Sequence, residues 1–362
     1  MAYITLNKQK LQHNFTELDT LFKEHNIEWA AVVKLLCGNA LFLKQVLDLG
    51  IPEVCDSRIS NLKTIKKLRP DVQTVYIKPP AQENVREVLE CADVTFNTEY
   101  DTIKLLSDTA TDMGVSHKIL IMIELGELRE GVMREEFIEF YQKVFDLPNI
   151  KVIGIGANLT CMYGVLPSED KLLQLCLYKQ LVEAKFNQVI PYISGGASVT
   201  IPLIYRDLMP EAVNHFRVGE TLFMGTNAYE NKPYKNMYND VFKLYAQIIE
   251  LNEKPYVPSG ELGYNLSGEK MEFDTTQDGE VGLRAIVDIG LLDVEDSHLT
   301  PVDEELEIIG ASSDMMVIDL KENKKDLEVG DFIEFKMNYM GILRIMNSDY
   351  IEKRLEPTSQ NT

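Results

Sequence analysis

Trp29-Ala-Ala-Val-Val33 runs directly into Lys34, which is followed by Leu35-Leu-Cys37-Gly-Asn39. A strand that is apolar throughout is one buried on both faces, as in a parallel sheet covered by helices. Such a strand stops where it meets solvent or a cavity. A lysine there either escapes to water or stands at the mouth of a barrel, where catalytic groups gather at strand ends. In a partly dry pocket its amine would lose basicity and attack a carbonyl. Taken alone, the stretch favours the solvated lysine, and the rest of the chain has to weigh the alternative.

Outward from this stretch, residues 7 to about 217 alternate amphipathic helical segments with short apolar strands. The expected strands are Trp29–Val33, Pro52–Cys55, Thr74–Ile77, Asp93–Phe96, Lys118–Glu124, Lys151–Ala157, Gln188–Ser194 and Val213–Arg217. About eight β/α units in roughly 200 residues predict a (β/α)8 TIM-type barrel. An open doubly wound sheet would favour a Gly-x-Gly-x-x-Gly turn after the first strand, and none is present. Beyond Gly225 the helical period fades. Short β-branched or alternating runs at Phe242–Glu250, Gly282–Asp288, Glu305–Ile309, Met315–Leu320 and Asp331–Met337 predict a C-terminal all-β domain. The expected division is a barrel over 1–225, a linker over 226–236, a β domain over 237–356 and a tail over 357–362.

With 57 acidic against 36 basic residues, the net charge of −21 argues against nucleic acid and anionic membranes as partners, both of which need a basic footprint. There is no signal-peptide pattern at Met1-Ala-Tyr-Ile and no apolar run of membrane-spanning length. Five scattered cysteines without Cys-x-x-Cys spacing read as reduced thiols, so a cytoplasmic location and no metal site are expected.

Strand ends on one face of a barrel share a pocket. The segments following the strands are therefore read together: Lys34, then Arg129-Glu-Gly-Val, Asn158-Leu-Thr-Cys161, Ser194-Gly-Gly-Ala-Ser198 and Arg217-Val-Gly219-Glu220. The last two look like a phosphate cradle, with glycines, hydroxyls and exposed amides where barrels hold phosphate. An amine on the first expected strand and a phosphate cradle on the seventh and eighth suggest pyridoxal 5'-phosphate, which needs both.

These segments, with Gly310-Ala-Ser-Ser-Asp314-Met-Met-Val and Asn338-Tyr339 in the β domain, resemble the fold-type III pyridoxal-phosphate racemases over about Tyr3 to Tyr350. Cys37-Gly-Asn, Gly156-Ala-Asn158-Leu-Thr-Cys161 and Gly219-Glu220 look closer to the ornithine racemase branch than to alanine racemases. The resemblance implies that Lys34 holds the cofactor and serves as one of two bases moving the α-proton. It further implies Arg217 facing the pyridine nitrogen, Asn158 against the ring, and Ser194, Ser198 and the Gly219 and Glu220 amides on the phosphate. The Glu220 side chain must then point away. Tyr339 would add a phenolic donor, and Arg129 would face the substrate carboxylate or the cofactor's phenolic oxygen.

In this family the second base is a tyrosine of the partner subunit, so a homodimer with shared sites is implied. Tyr264 in Gly260-Glu-Leu-Gly-Tyr264 is the candidate, with Cys161 and Ser313 in reserve. Two departures stand out: Gly38 replaces a phosphate-binding tyrosine, and Met122 replaces a carbamylated lysine that steadies the arginine, which leaves open what holds Arg129. A basic substrate such as ornithine or lysine would want a carboxylate for its distal ammonium, and Glu124, Glu127 and Asp314 are the options, with Asp314 chosen. The alternatives are an alanine racemase of relaxed specificity and a non-catalytic carrier of the cofactor. Such carriers lack the β domain that occupies the last 120 or so residues here.

Overall fold

A computed structural model of the chain describes residues 2–264, 268, 270, 272–273 and 279–357. Two compact units are present, Lys8–Asn239 on one hand and Met1–Asn7 with Asp240–Thr362 on the other. β1 (Tyr3–Leu6) belongs to the second unit. The first contains β2 (Glu28–Val32), β3 (Glu53–Asp56), β4 (Gln73–Tyr76), β5 (Val94–Asn97), β6 (His117–Met122), β7 (Ile150–Gly156), β8 (Tyr192–Ser194), β9 (Gly196–Ala197) and β10 (His215–Val218).

These nine segments form one sheet in the order β8-β7-β6-β5-β4-β3-β2-β10-β9, with every pairing parallel. Only Gly195 separates β8 from β9, so they are two halves of one strand. The first half pairs with β7 and the second with β10, which closes a ring of eight, as the count of β/α units predicted. Gly196 is needed at this seam, because a Cβ there would fall 2.2 Å from the Phe216 ring.

The barrel interior is filled by Ala30, Cys55, Val75, Val94, Phe96, Leu120, Met122 and Ile153, residues that alternate along their strands. The outer ring consists of α1 (Lys8–Glu24), α2 (Ala40–Leu47), α3 (Ile59–Leu68), α4 (Val85–Cys91), α5 (Tyr100–Met113), α6 (Phe137–Phe145) and α7 (Glu169–Phe186), with two short helices, α8 (Ile201–Tyr205) and α9 (Glu220–Met224). Local chemistry sets their limits. Asn39 caps α2 by accepting from the Phe42 amide at 3.1 Å, Ser168 caps α7 at Lys171, and Gly114 ends α5 in the left-handed region. The stretch expected as a linker, 226–236, contains a small hairpin, β11 (Thr226–Asn227) with β12 (Lys232–Pro233), and stays with the barrel unit.

The second unit holds β13 (Phe242–Pro255), β14 (Val281–Val287), β15 (Leu299–Pro301), β16 (Glu307–Ala311), β17 (Met316–Asp319), β18 (Phe332–Met337) and β19 (Glu352–Leu355). Their order is β15-β18-β13-β14-β17-β16, and β1 runs antiparallel to β13 and parallel to β19. Two expectations are corrected here. Residues 1–7 lie in this unit and not in the barrel. The unit is also not purely β, since α10 (Tyr339–Asn347) follows β18, capped by Asn338, whose Oδ1 accepts from the Gly341 amide at 2.9 Å. Ile4, Leu6, Leu244, Ala246, Ile333 and Phe335 are fully buried in its core. No helix among the described residues is long and apolar enough to cross a membrane.

Candidate active site

The expected strand-end residues collect around β2, β10, β6 and β7. Lys34 follows β2, opening a single 3-10 turn (Lys34–Leu36) after Val33, whose amide bonds to Cys55 of β3. Beside it at the end of β3 lies Asp56, fully buried, accepting from both Asn61 Nδ2 (3.1 and 3.2 Å) and the Arg58 amide. Burial raises the Asp56 carboxyl to about 6, against those hydrogen bonds and the nearby positive charge of Lys34. The same cluster accounts for Gly38, which sits at φ 75° with Asn61 Oδ1 2.5 Å from where a Cβ would be. Both the left-handed backbone and the Asn61 amide oppose a side chain at this position.

Along β10, inward side chains recur at every second residue, so His215 and Arg217 share the interior face while Phe216 packs outward on Phe22 of α1. Arg217 is level with Ala30 of β2 in the strand register, on the strand adjoining the one that ends at Lys34. Its guanidinium is buried, which pushes its pKa down. Nη2 donates to the Ala157 carbonyl at 2.7 Å, Nη1 lies 3.9 Å from Met122 Sδ, and the Phe96 ring is 5.2 Å away. Nε is buried and has no hydrogen-bond partner among the described residues. A buried cation with an unmet donor is costly in a finished core and suits a site that receives an acceptor from a bound group.

Of the expected cradle, the structure brings Ser198 and the Gly219–Thr221 turn together. Ser198 Oγ accepts from the Thr221 amide at 3.2 Å, in the first turn of α9. Gly219 lies hard against β2, where a Cβ would fall 2.9 Å from the Val32 carbonyl. The Glu220 carboxylate does turn aside, accepting from Thr226 Oγ1 at 3.2 Å. Ser194 is placed differently. Its hydroxyl is fully buried and lies 2.7 Å from His215 Nδ1, while His215 Nε2 lies 3.1 Å from Glu53. This polar group sits one inward position nearer the N-terminal ends of the strands than Arg217, so Ser194 has a protein partner of its own.

The loop after β6 returns on itself. Val132 bridges to Ile123, and Gly131 at φ 152° would otherwise place a Cβ 2.3 Å from the Glu124 amide. On this loop Arg129 donates through Nη2 to Glu130 Oε1 at 2.6 Å and through Nε to Glu130 Oε2, and Asn158 Nδ2 donates to the same Oε1. Glu130, not a replacement at position 122, is therefore what holds Arg129.

Glu127, one of the carboxylates considered for a distal ammonium, is committed elsewhere. It accepts from the amides of Thr160, Met162, Tyr163 and Val165 and thereby shapes the loop carrying Cys161. Glu124 accepts from the Gly126 amide.

In the second unit, Tyr264 is 79% exposed in the segment between β13 and β14. Tyr339 opens α10. Ser313 and Asp314 are exposed in the turn between β16 and β17, with Asp314 Oδ1 3.3 Å from Ser313 Oγ. The residues missed in the sequence are Glu130, Asp56 and Asn61. Glu130 had a signal, an acid next to the arginine in the quoted motif. Asp56 and Asn61 had none, because their partnership depends on the close packing of α3 on β3.

The site thus joins, on a closed parallel barrel, a lysine just past one strand, a buried arginine on the adjoining strand and a serine hydroxyl bonded to a backbone amide at the first turn of α9. The family described as alanine racemase, N-terminal domain, matches residues 6–227. The chain belongs to that family. It is 37% identical over 353 residues to the ornithine racemase of Acetoanaerobium sticklandii, covering 97% of this chain and 99% of that one. It is 29% identical over 355 residues to the lysine racemase of Thermotoga maritima, covering 98% of each. Among solved structures, alanine racemase from Bartonella henselae with covalently bound pyridoxal phosphate superposes with a TM-score of 0.73 at 15% identity, over 98% of this chain and 99% of that one.

Proposed function

We propose that the chain is a pyridoxal-phosphate-dependent racemase of basic amino acids, with ornithine as its substrate. The observation that carries this is the buried Arg217, whose Nε has no partner among the described residues, on the strand next to Lys34. Full-length similarity to two racemases of basic amino acids supports it. The bound cofactor would supply an electron sink that makes the substrate's α-proton acidic. Lys34 Nζ would take the cofactor's aldehyde carbon, Arg217 Nε would donate to its ring nitrogen, and Ser198 with the Gly219 and Glu220 amides would hold its phosphate. An arginine there stays charged and withholds a proton from the ring.

Racemisation needs a proton carrier on each side of Cα, since a single base returns the proton to the side it left. Lys34 Nζ is one carrier. Tyr264 Oη, from the partner subunit of a homodimer, is the proposed other. Arg129 would receive the substrate carboxylate and Asp314 the distal ammonium. Tyr339 would reach the phosphate. Five free cysteines fit a reducing, cytoplasmic setting. Alanine is the poorer substrate on this reading, because Gly38 and Met122 stand where alanine racemases carry tyrosine and lysine. Incubation of the purified protein with L-ornithine, L-lysine and L-alanine separately, followed by chiral chromatography, tests it. Ornithine should racemise fastest, and a faster reaction with alanine would overturn the substrate assignment.

A further inference from the structure

Resting on the racemase reading, we propose that Glu130 is the positioning residue that sets the direction of Arg129 and Asn158 and supplies the negative charge paired with Arg129. Its side chain is 14% exposed while that of Arg129 is 35% exposed, so the carboxylate lies beneath the guanidinium it holds. The two-point contact occupies Nε and Nη2 of Arg129. A planar guanidinium gripped along one edge cannot swing, and its remaining donors, both on Nη1 and the second on Nη2, are left in fixed directions for a ligand. The same carboxylate orients Asn158. An ionised carboxylate only accepts, so the Asn158 nitrogen must face it, and Oδ1 is left as the acceptor on the other side.

The charge matters as much as the shape. Arg217 forms no ion pair among the described residues, and the charge of Arg129 opposes it. Glu130 feels both cations. Burial pushes its carboxyl up, and the Arg129 and Asn158 hydrogen bonds with the charges of Arg129 and Arg217 outweigh this and hold it below the ordinary carboxylate range. Neither acidic neighbour can stand in, because Glu127 is taken by four amides and Glu124 by Gly126. The pinned turn at Gly131 keeps Glu130 over the strand ends.

The test compares Glu130→Gln, Glu130→Asp and, as a surface control, Glu135→Gln. Cofactor-free protein is titrated with pyridoxal phosphate, the absorbance of the lysine-linked cofactor is followed against pH, and kcat and KM are measured with L-ornithine. Loss of one carboxylate makes the site more positive, so Glu130→Gln should move the absorbance midpoint to lower pH. It should also raise KM at least about tenfold, the scale of a charged hydrogen bond. Glu130→Asp should restore the midpoint but not KM, since it keeps the charge and loses the reach. A Glu130→Gln protein with wild-type midpoint and KM, beside an active wild type, overturns the inference and leaves the racemase reading standing. Parallel loss of cofactor binding and thermal stability with KM unchanged also overturns it, by making Glu130 a folding residue. A wild type that takes up no cofactor overturns both.

Discussion

Asp56 ends β3 beside the turn that Lys34 opens after β2, and its titration is open to direct measurement. Because the Asp56 carboxyl is raised to about 6 in the fold, the native state holds its proton more tightly than the unfolded chain. Its stabilising contribution is therefore full below about pH 4 and is lost as pH rises through about 6. Asp56→Asn should remove that decline, so its melting temperature should change less than that of wild type between pH 4 and 7. Identical profiles would show that Asp56 does not titrate there. Gly38→Ala should destabilise by about 1–3 kcal/mol, since φ 75° and the Asn61 contact both oppose a side chain. Denaturant unfolding checks it. Lys34, Arg217, Ser198 and Gly219 were legible as residues, because strand-end position and residue type carry their chemistry. The role of Glu130 was not legible, since adjacency in sequence does not show which carboxylate turns inward.

At the scale of elements, the loop after β7 is built around one carboxylate. Glu127 is 1% exposed; burial pushes it up, and the four amides outweigh that and hold its carboxyl below the usual range. A depressed carboxyl stabilises above its unfolded value and loses that contribution as pH falls through the folded one, so this loop should loosen only in acid. Glu127→Ala leaves four amides without their acceptor. Amide exchange over Thr160–Val165 should then accelerate at neutral pH, with β2 to β6 unchanged, and unaltered exchange there would refute the clamp. The barrel's helices were readable from their apolar period, and its strands from their shortness and burial. The β8–β9 seam was not, because a strand that changes neighbours at Gly195 reads as one run. α10 escaped because Tyr339–Asn347 follows a run of strands and spans only nine residues.

For the whole molecule, the first residues of the chain complete the β unit. Tyr3–Leu6 pairs with β13 and β19, and Ile4 and Leu6 are fully buried there. Leu6→Ala should cost about 2–5 kcal/mol, read as lost stability in denaturant. Nothing local distinguishes this four-residue run from a first barrel strand, which is why its membership was misassigned. Tyr264, Asp314 and Tyr339 lie in that same unit, so their proposed roles depend on assembly that a single chain's sequence does not reveal. Stereochemical exchange at Cα, with Lys34 as one proton carrier, underlies every role proposed for these residues. Its most direct measurement is chiral chromatography of L-ornithine incubated with wild-type and Lys34→Ala protein, both supplied with pyridoxal phosphate. Wild type should drive the enantiomers to equal amounts and Lys34→Ala should form no D-ornithine; a wild type that leaves both L-ornithine and L-lysine unchanged would contradict the account.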